Sequence, residues 1–170
     1  VNLVNHLNRA VLTGGITLAY QPIIRLSDGS VMGCEALARW QHPELGAIGP
    51  DRFIPLAEES GLIVPLGIYI LMEACRTAAL MKEQKRGARA FVAVNVSAIQ
   101  LAQPDFAEVL FSALDRHGLD TEDIHLEITE SVFVERSALV VPLLLDLANR
   151  GCHFKLDDFG TGYSSLAYLH

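Results

Sequence analysis

Five apolar runs in this chain each carry polar side chains of a kind that does chemistry. Gln21 lies in 18–26 (LAYQPIIRL), Glu35 in 31–40 (VMGCEALARW), Asn95 in 91–97 (FVAVNVS), Glu127 in 124–129 (IHLEIT), and the pair Asp157-Asp158 in 153–159 (HFKLDDF). The last four runs hold four carboxylates against two nearby cations, Arg39 and Lys155. If the carboxylates converge, each raises the others' pKa, and a bound divalent cation relieves the repulsion. Oxygen donors throughout, with an asparagine carbonyl among them, suit magnesium, manganese or calcium rather than zinc. Adjacent aspartates can serve two ions about 3.5–4 Å apart, the arrangement of two-metal phosphate-ester hydrolysis. Bound metal would also invert the local field and let an acidic protein hold an anionic phosphodiester. Taken singly, each carboxylate fits a solvated strand end or an ion-pair partner better than a metal ligand.

Convergence depends on the elements beneath these residues. In 124–129 the even positions are aliphatic and the odd ones polar; Val92, Val94 and Val96 oppose Asn95; Phe154 and Leu156 oppose Lys155 and Asp157. Alternation of this kind reads as strand, with Asn95, Glu127 and Asp157 on the face away from the aliphatic one. An open sheet with helices on both sides would be apolar on both faces, whereas a barrel gathers polar groups at the mouth formed by its strand C-termini. Only Ser27-Asp28-Gly29-Ser30 separates the first two runs, so they form an antiparallel hairpin. With that turn, Gln21 falls opposite Glu35 or one residue from it.

Beyond the hairpin, helical patterns alternate with strands and predict parallel βα units. A segment near 3–11 stops at Gly14-Gly15, and a short helix over 51–61 is capped by Gly61. Longer helices are expected over 63–86, about 104–117 and about 137–150, with a further one beginning in GYSSLAYLH. The fold class is therefore α/β, a hairpin followed by βα units, with five strands counted.

The chain has 170 residues, 51% of them apolar, and a net charge of −7, which describes a globular domain rather than a disordered one. The acidic balance argues against DNA binding driven by bulk electrostatics, and no run of about 18 uncharged apolar residues is present. Cys34, Cys75 and Cys152, odd in number and far apart, suit a reducing, cytoplasmic setting.

Six ordered stretches carry a resemblance: YQPI (20–23), EALARW (35–40), HPELGAIGPDRFIPLAEESGLI (42–63), NVSAIQL (95–101), LEITES (126–131) and KLDDFGTGYSSLAYL (155–169). Together they resemble the EAL-domain cyclic di-GMP phosphodiesterases. The resemblance implies a TIM-barrel-like fold with an antiparallel first strand, and hydrolysis of cyclic di-GMP to linear pGpG with Mg2+ or Mn2+, two ions in the intact site. It implies that Glu35, Asn95, Glu127 and Asp157 ligate metal and that Asp158 serves the second ion, with Glu35, Asp157 and Asp158 as the catalytic set. Leu37 and Arg39 would line the substrate, Arg39 toward a phosphate, with Gln21 a weaker contact. Glu130 would anchor the DDFGTGYSS loop. A homodimer and attached GGDEF or sensory domains are implied as well, in the cytoplasm or on the cytoplasmic side of a membrane-anchored parent.

The family's catalytic lysine and a later glutamate and glutamine would lie beyond His170. Residues 1–170 are thus expected to be an EAL domain incomplete at its C-terminus, truncated after the fifth strand and inactive alone. A catalytically inactive cyclic di-GMP receptor, or a signalling and dimerisation module, is the alternative. The histidines form neither HExxH nor an HD pair, and the FGTG loop lacks the Gly-Lys-Ser/Thr of a P-loop. His42, before Pro43, reads as a loop residue, and Glu58 and Glu59 as solvated positions at a helix end.

Overall fold

The computed structural model describes residues 2–84, 90–129 and 131–157, with backbone alone at 131, 133–137 and 157. The first hairpin is closed by side-chain chemistry at its turn. Asp28 Oδ1 accepts from Ser30 N at 3.0 Å and from Ser30 Oγ at 2.7 Å, and Gly29 takes a φ of 71°. This turn joins β1 (Ile16–Ile24) and β2 (Val31–His42) as an antiparallel pair in which Gln21 faces Glu35 directly.

From β2 onward the pairing is parallel, through β4 (Phe91–Asn95), β5 (Ile124–Thr129) and β6 (His153–Asp157). The order is β1-β2-β4-β5-β6, the five strands read from the alternation. A sixth, β3 (Gly46–Ile48), pairs with the far end of β2 and lies off this path. Its three residues are too few to show a period of two, so pattern alone misses it.

The same short strand corrects the reading of His42 as a loop residue. His42 ends β2 opposite Gly46 and is 1% exposed. Its Nδ1 accepts from the backbone N–H of Glu44 and of Leu45, both at 3.1 Å. That leaves the proton on Nε2, which donates to His6 Nδ1 at 2.5 Å, the two rings stacking within 5° of parallel. His6 belongs to α1 (Leu3–Thr13), so a histidine pair fastens the first helix to the hairpin.

The remaining helices are α2 (Pro50–Ser60), α3 (Ile63–Gln84), α4 (Ala98–Leu101), α5 (Phe106–Arg116) and α6 (Ser131–Asn149). Three boundaries differ from the sequence reading. α6 starts at Ser131 rather than near 137, α5 starts two residues after Pro104, and the one-turn α4 precedes it. In α6 the burial of Val132, Val140, Leu144 and Leu147 decides the extent, overriding the local start signal at Ser137. α3 is long and apolar enough to cross a bilayer by length and composition. Here its Leu66, Ile70, Leu71, Ala74 and Cys75 are buried in the core cluster with Val92, Val94, Leu126 and Ile128 of the sheet, so it serves as a core helix. The aliphatic parity of β4 and β5 is thus the helix-covered side.

Candidate active site

The opposite side of the sheet carries the polar row. Asn95, Glu127 and Lys155 are aligned across β4, β5 and β6, each the ladder partner of the next. On β2, Glu35 is level with Ala93, whose small side chain is buried on the same face as Asn95. The structure thereby brings Glu35, Asn95 and Glu127 together. Asn95 Nδ2 donates to Glu35 Oε1 at 2.8 Å, and Lys155 Nζ donates to Glu127 Oε1. The backbone of Asp157 lies two residues beyond Lys155, paired with Thr129. The Asp157 side chain, Asp158, Glu130 and the helix expected in GYSSLAYLH lie outside the described residues.

Burial sets the electrostatics of this row. Glu127 is 3% exposed, and desolvation is the main cause pushing its carboxyl above the usual range. The negative charge of Glu35 pushes the same way, while Lys155 pulls down. Two neighbouring carboxylates, Glu127 buried and Glu35 half-buried, each held by a nitrogen donor, make a site that favours positive charge. Among the described residues no group of three or more His, Cys, Asp or Glu side chains is gathered to hold a metal. The donor set present is nonetheless all oxygen, two carboxylates and an amide, which fits a hard divalent cation.

These groups open onto a cleft of about 660 Å³, within the range of about 300–1,000 Å³ typical of ligand sites. Glu35, Leu37, Arg39, Asn95, Glu127 and Thr129 line it. Arg39 is exposed, its Nη1 bonded to Ala38 O at 2.9 Å, and its guanidinium stands at the cleft wall. Gln21, directly across from Glu35, is not among the lining residues.

Two contributors escaped the sequence reading. Glu58, half-buried, lines the cleft from α2, whereas its neighbour Glu59 is exposed. The loop after β4 is locked by a capping box. Ser97 Oγ accepts from Gln100 N at 3.3 Å, and Gln100 Oε1 accepts from Ser97 N at 3.1 Å. The Ser-x-x-Gln spacing at 97–100 is the available signal for it.

Below the row, rings stack across three strands. Phe91 and His125 lie 3.7 Å apart between centroids, and His125 and His153 4.7 Å. Burial first, then the charges of His153 and Lys155, bring the His125 pKa down to about 4, so the ring is neutral at pH 7.

Comparison with known proteins extends the picture. The chain is 42% identical over 156 residues to an uncharacterized protein of Mycobacterium tuberculosis, covering 92% of this chain and 51% of that protein. It is 40% identical over 171 residues to MucR of Pseudomonas aeruginosa, a bifunctional diguanylate cyclase/cyclic di-GMP phosphodiesterase, covering 99% of this chain and 24% of MucR. The chain thus spans about half or less of these relatives' length. The structure of the MucR phosphodiesterase in complex with c-di-GMP superposes with a TM-score of 0.92 at 40% identity, covering 99% of this chain and 68% of that one. The EAL enzyme Bd1971, in a form bound to cAMP and cyclic di-GMP, follows with a TM-score of 0.87 at 33% identity, covering 98% of this chain and 46% of that one. The antiparallel first pair, the parallel strands after it and the helix-covered aliphatic face are therefore those of a TIM-barrel-like EAL fold. With residues 4–170 matching the EAL domain throughout, the chain belongs to the EAL-domain family.

Proposed function

We propose that this chain forms part of a metal-dependent phosphodiesterase that hydrolyses cyclic di-GMP to linear pGpG. The observation that carries the reading is the row of Glu35, Asn95 and Glu127, brought together from three strands at the floor of a cleft that Arg39 also lines. Glu35, Asn95 and Glu127, with Asp157 and Asp158, would hold Mg2+ or Mn2+, two ions in the complete site. Divalent ions there supply Lewis acidity toward a phosphate oxygen and make water more acidic. The chain's own residues do the positioning. Arg39 offers a fork of donors to a phosphodiester oxygen. Leu37 gives the wall an apolar surface beside it, and Gln21, across from Glu35, is a weaker candidate contact to the substrate. Glu130 anchors the loop that follows Asp157 and Asp158. Attached GGDEF or sensory domains, a homodimer and a cytoplasmic setting complete the proposal, in line with the larger size of its relatives.

A receptor that binds the dinucleotide without cleaving it is the second reading. The Lys155–Glu127 ion pair favours it, because a cation already occupies one of the oxygen donors. The two readings part on metal dependence. Chelation of the full-length protein should abolish hydrolysis and Mn2+ should restore it, with Glu35→Gln and Glu127→Gln each losing roughly 100-fold or more. Hydrolysis that persists under chelation refutes the metal-dependent reading, and nucleotide binding without hydrolysis at any metal concentration selects the receptor.

A further inference from the structure

Both described carboxylates of the row are already satisfied by nitrogen. Asn95 turns its amide so that Nδ2 meets Glu35 Oε1 at 2.8 Å, and Lys155 sets a full positive charge on Glu127 Oε1. The second contact joins unlike partners: the Glu127 side chain is 3% exposed, whereas that of Lys155 is 47% exposed. A carboxylate this buried cannot stay ionised without a counter-charge except at a high desolvation cost. The lysine's flexible four-carbon stem can withdraw into solvent. A divalent ion on Asn95 needs the amide turned over, to present oxygen, and one on Glu127 Oε1 needs the ammonium gone from that oxygen.

We propose that Lys155 is a built-in counter-ion that occupies the cation position on Glu127 until a divalent metal displaces it. Metal loading at this site is then an exchange of one cation for another. Lys155 is a positioning residue: it holds the Glu127 carboxyl in place, and it sets the affinity threshold at which metal enters. The inference rests on the reading of Glu127 as a metal ligand, and it concerns what that ligand does before the metal arrives.

The test is Mn2+ binding to the full-length protein by titration calorimetry at pH 8 without nucleotide, together with thermal melts with and without metal. Lys155→Met should bind Mn2+ roughly tenfold tighter than the parent, the factor matching one charge-assisted hydrogen bond that no longer has to be broken. It should also melt lower without metal, and the gap should close as Mn2+ is added. Lys155→Arg, which keeps the cation, should bind no tighter than the parent. If the methionine variant does not fold, Lys155→Gln, which keeps a donor without the charge, is read in its place and should shift affinity in the same direction. Equal or weaker Mn2+ binding by the neutral variants overturns the proposal while leaving Glu127 a metal ligand. A parent protein that binds no Mn2+ overturns the metal-site reading and this inference with it.

Discussion

Gly67 stands in the interior of α3, where alanine would ordinarily stabilise a helix by up to about 1 kcal/mol. Here a Cβ would overlap Gln100 Nε2 and Cδ outright and lie 3.1 Å from its Oε1. Gln100 is 8% exposed and committed to the capping box with Ser97, so its amide has to abandon that box to make room. Losing the box costs about 1 kcal/mol, and leaving the buried amide without a partner costs a further ~1–3 kcal/mol. Set against the helix gain, Gly67→Ala should destabilise by about 1–3 kcal/mol. The box closes the turn that begins two residues after Asn95, so the same change should loosen the polar row. Urea unfolding of the full-length protein with Gly67→Ala, Gln100→Ala and the double variant reads this out. Once Gln100 is shortened, the methyl added at position 67 has space, so the double variant should be no less stable than Gln100→Ala alone. A Gly67→Ala protein as stable as the parent, or single effects that simply add, would refute the reasoning.

Two further outcomes follow from His125 and His42. His125 has a folded pKa of about 4 against 6.5 for a free ring, so the unfolded chain takes up the extra proton as pH falls. Its contribution is fully present above about pH 6.5 and is lost toward pH 4, about 1–2 kcal/mol after allowance for solvent screening. His125→Phe should flatten that slope between urea melts at pH 7 and pH 5, and an unchanged slope would count against it. His42→Phe strands the Glu44 and Leu45 N–H groups and the His6 ring nitrogen, and should cost about 2–4 kcal/mol in a thermal or urea melt. A loss below about 0.5 kcal/mol would mean that water replaces these bonds.

The hairpin and the polar row were legible because both follow from period-two alternation and a short Asp-Gly turn. The turn puts Gln21 opposite Glu35 or one residue from it, and parity puts Asn95 and Glu127 on one face; the exact alignments come from the pairing register. Lys155 was readable as a counter-charge near the site, but its choice of Glu127 depends on the β5–β6 register. The short β3 was not legible, and with it went His42, whose burial comes from two backbone N–H groups and a partner 36 residues away. That Glu58 lines the cleft was not legible either, because it depends on how α2 packs. The box at Ser97 and Gln100 left a local signal, yet its depth depends on the missing Cβ at Gly67, a contact between elements far apart in sequence.

The central claim is tested most directly by incubating the full-length protein with cyclic di-GMP and Mn2+ and resolving the nucleotides chromatographically, beside a Glu35→Gln control. The account predicts conversion to linear pGpG by the parent and its loss in the variant. Cyclic di-GMP recovered intact from a folded parent protein that binds it would contradict the account.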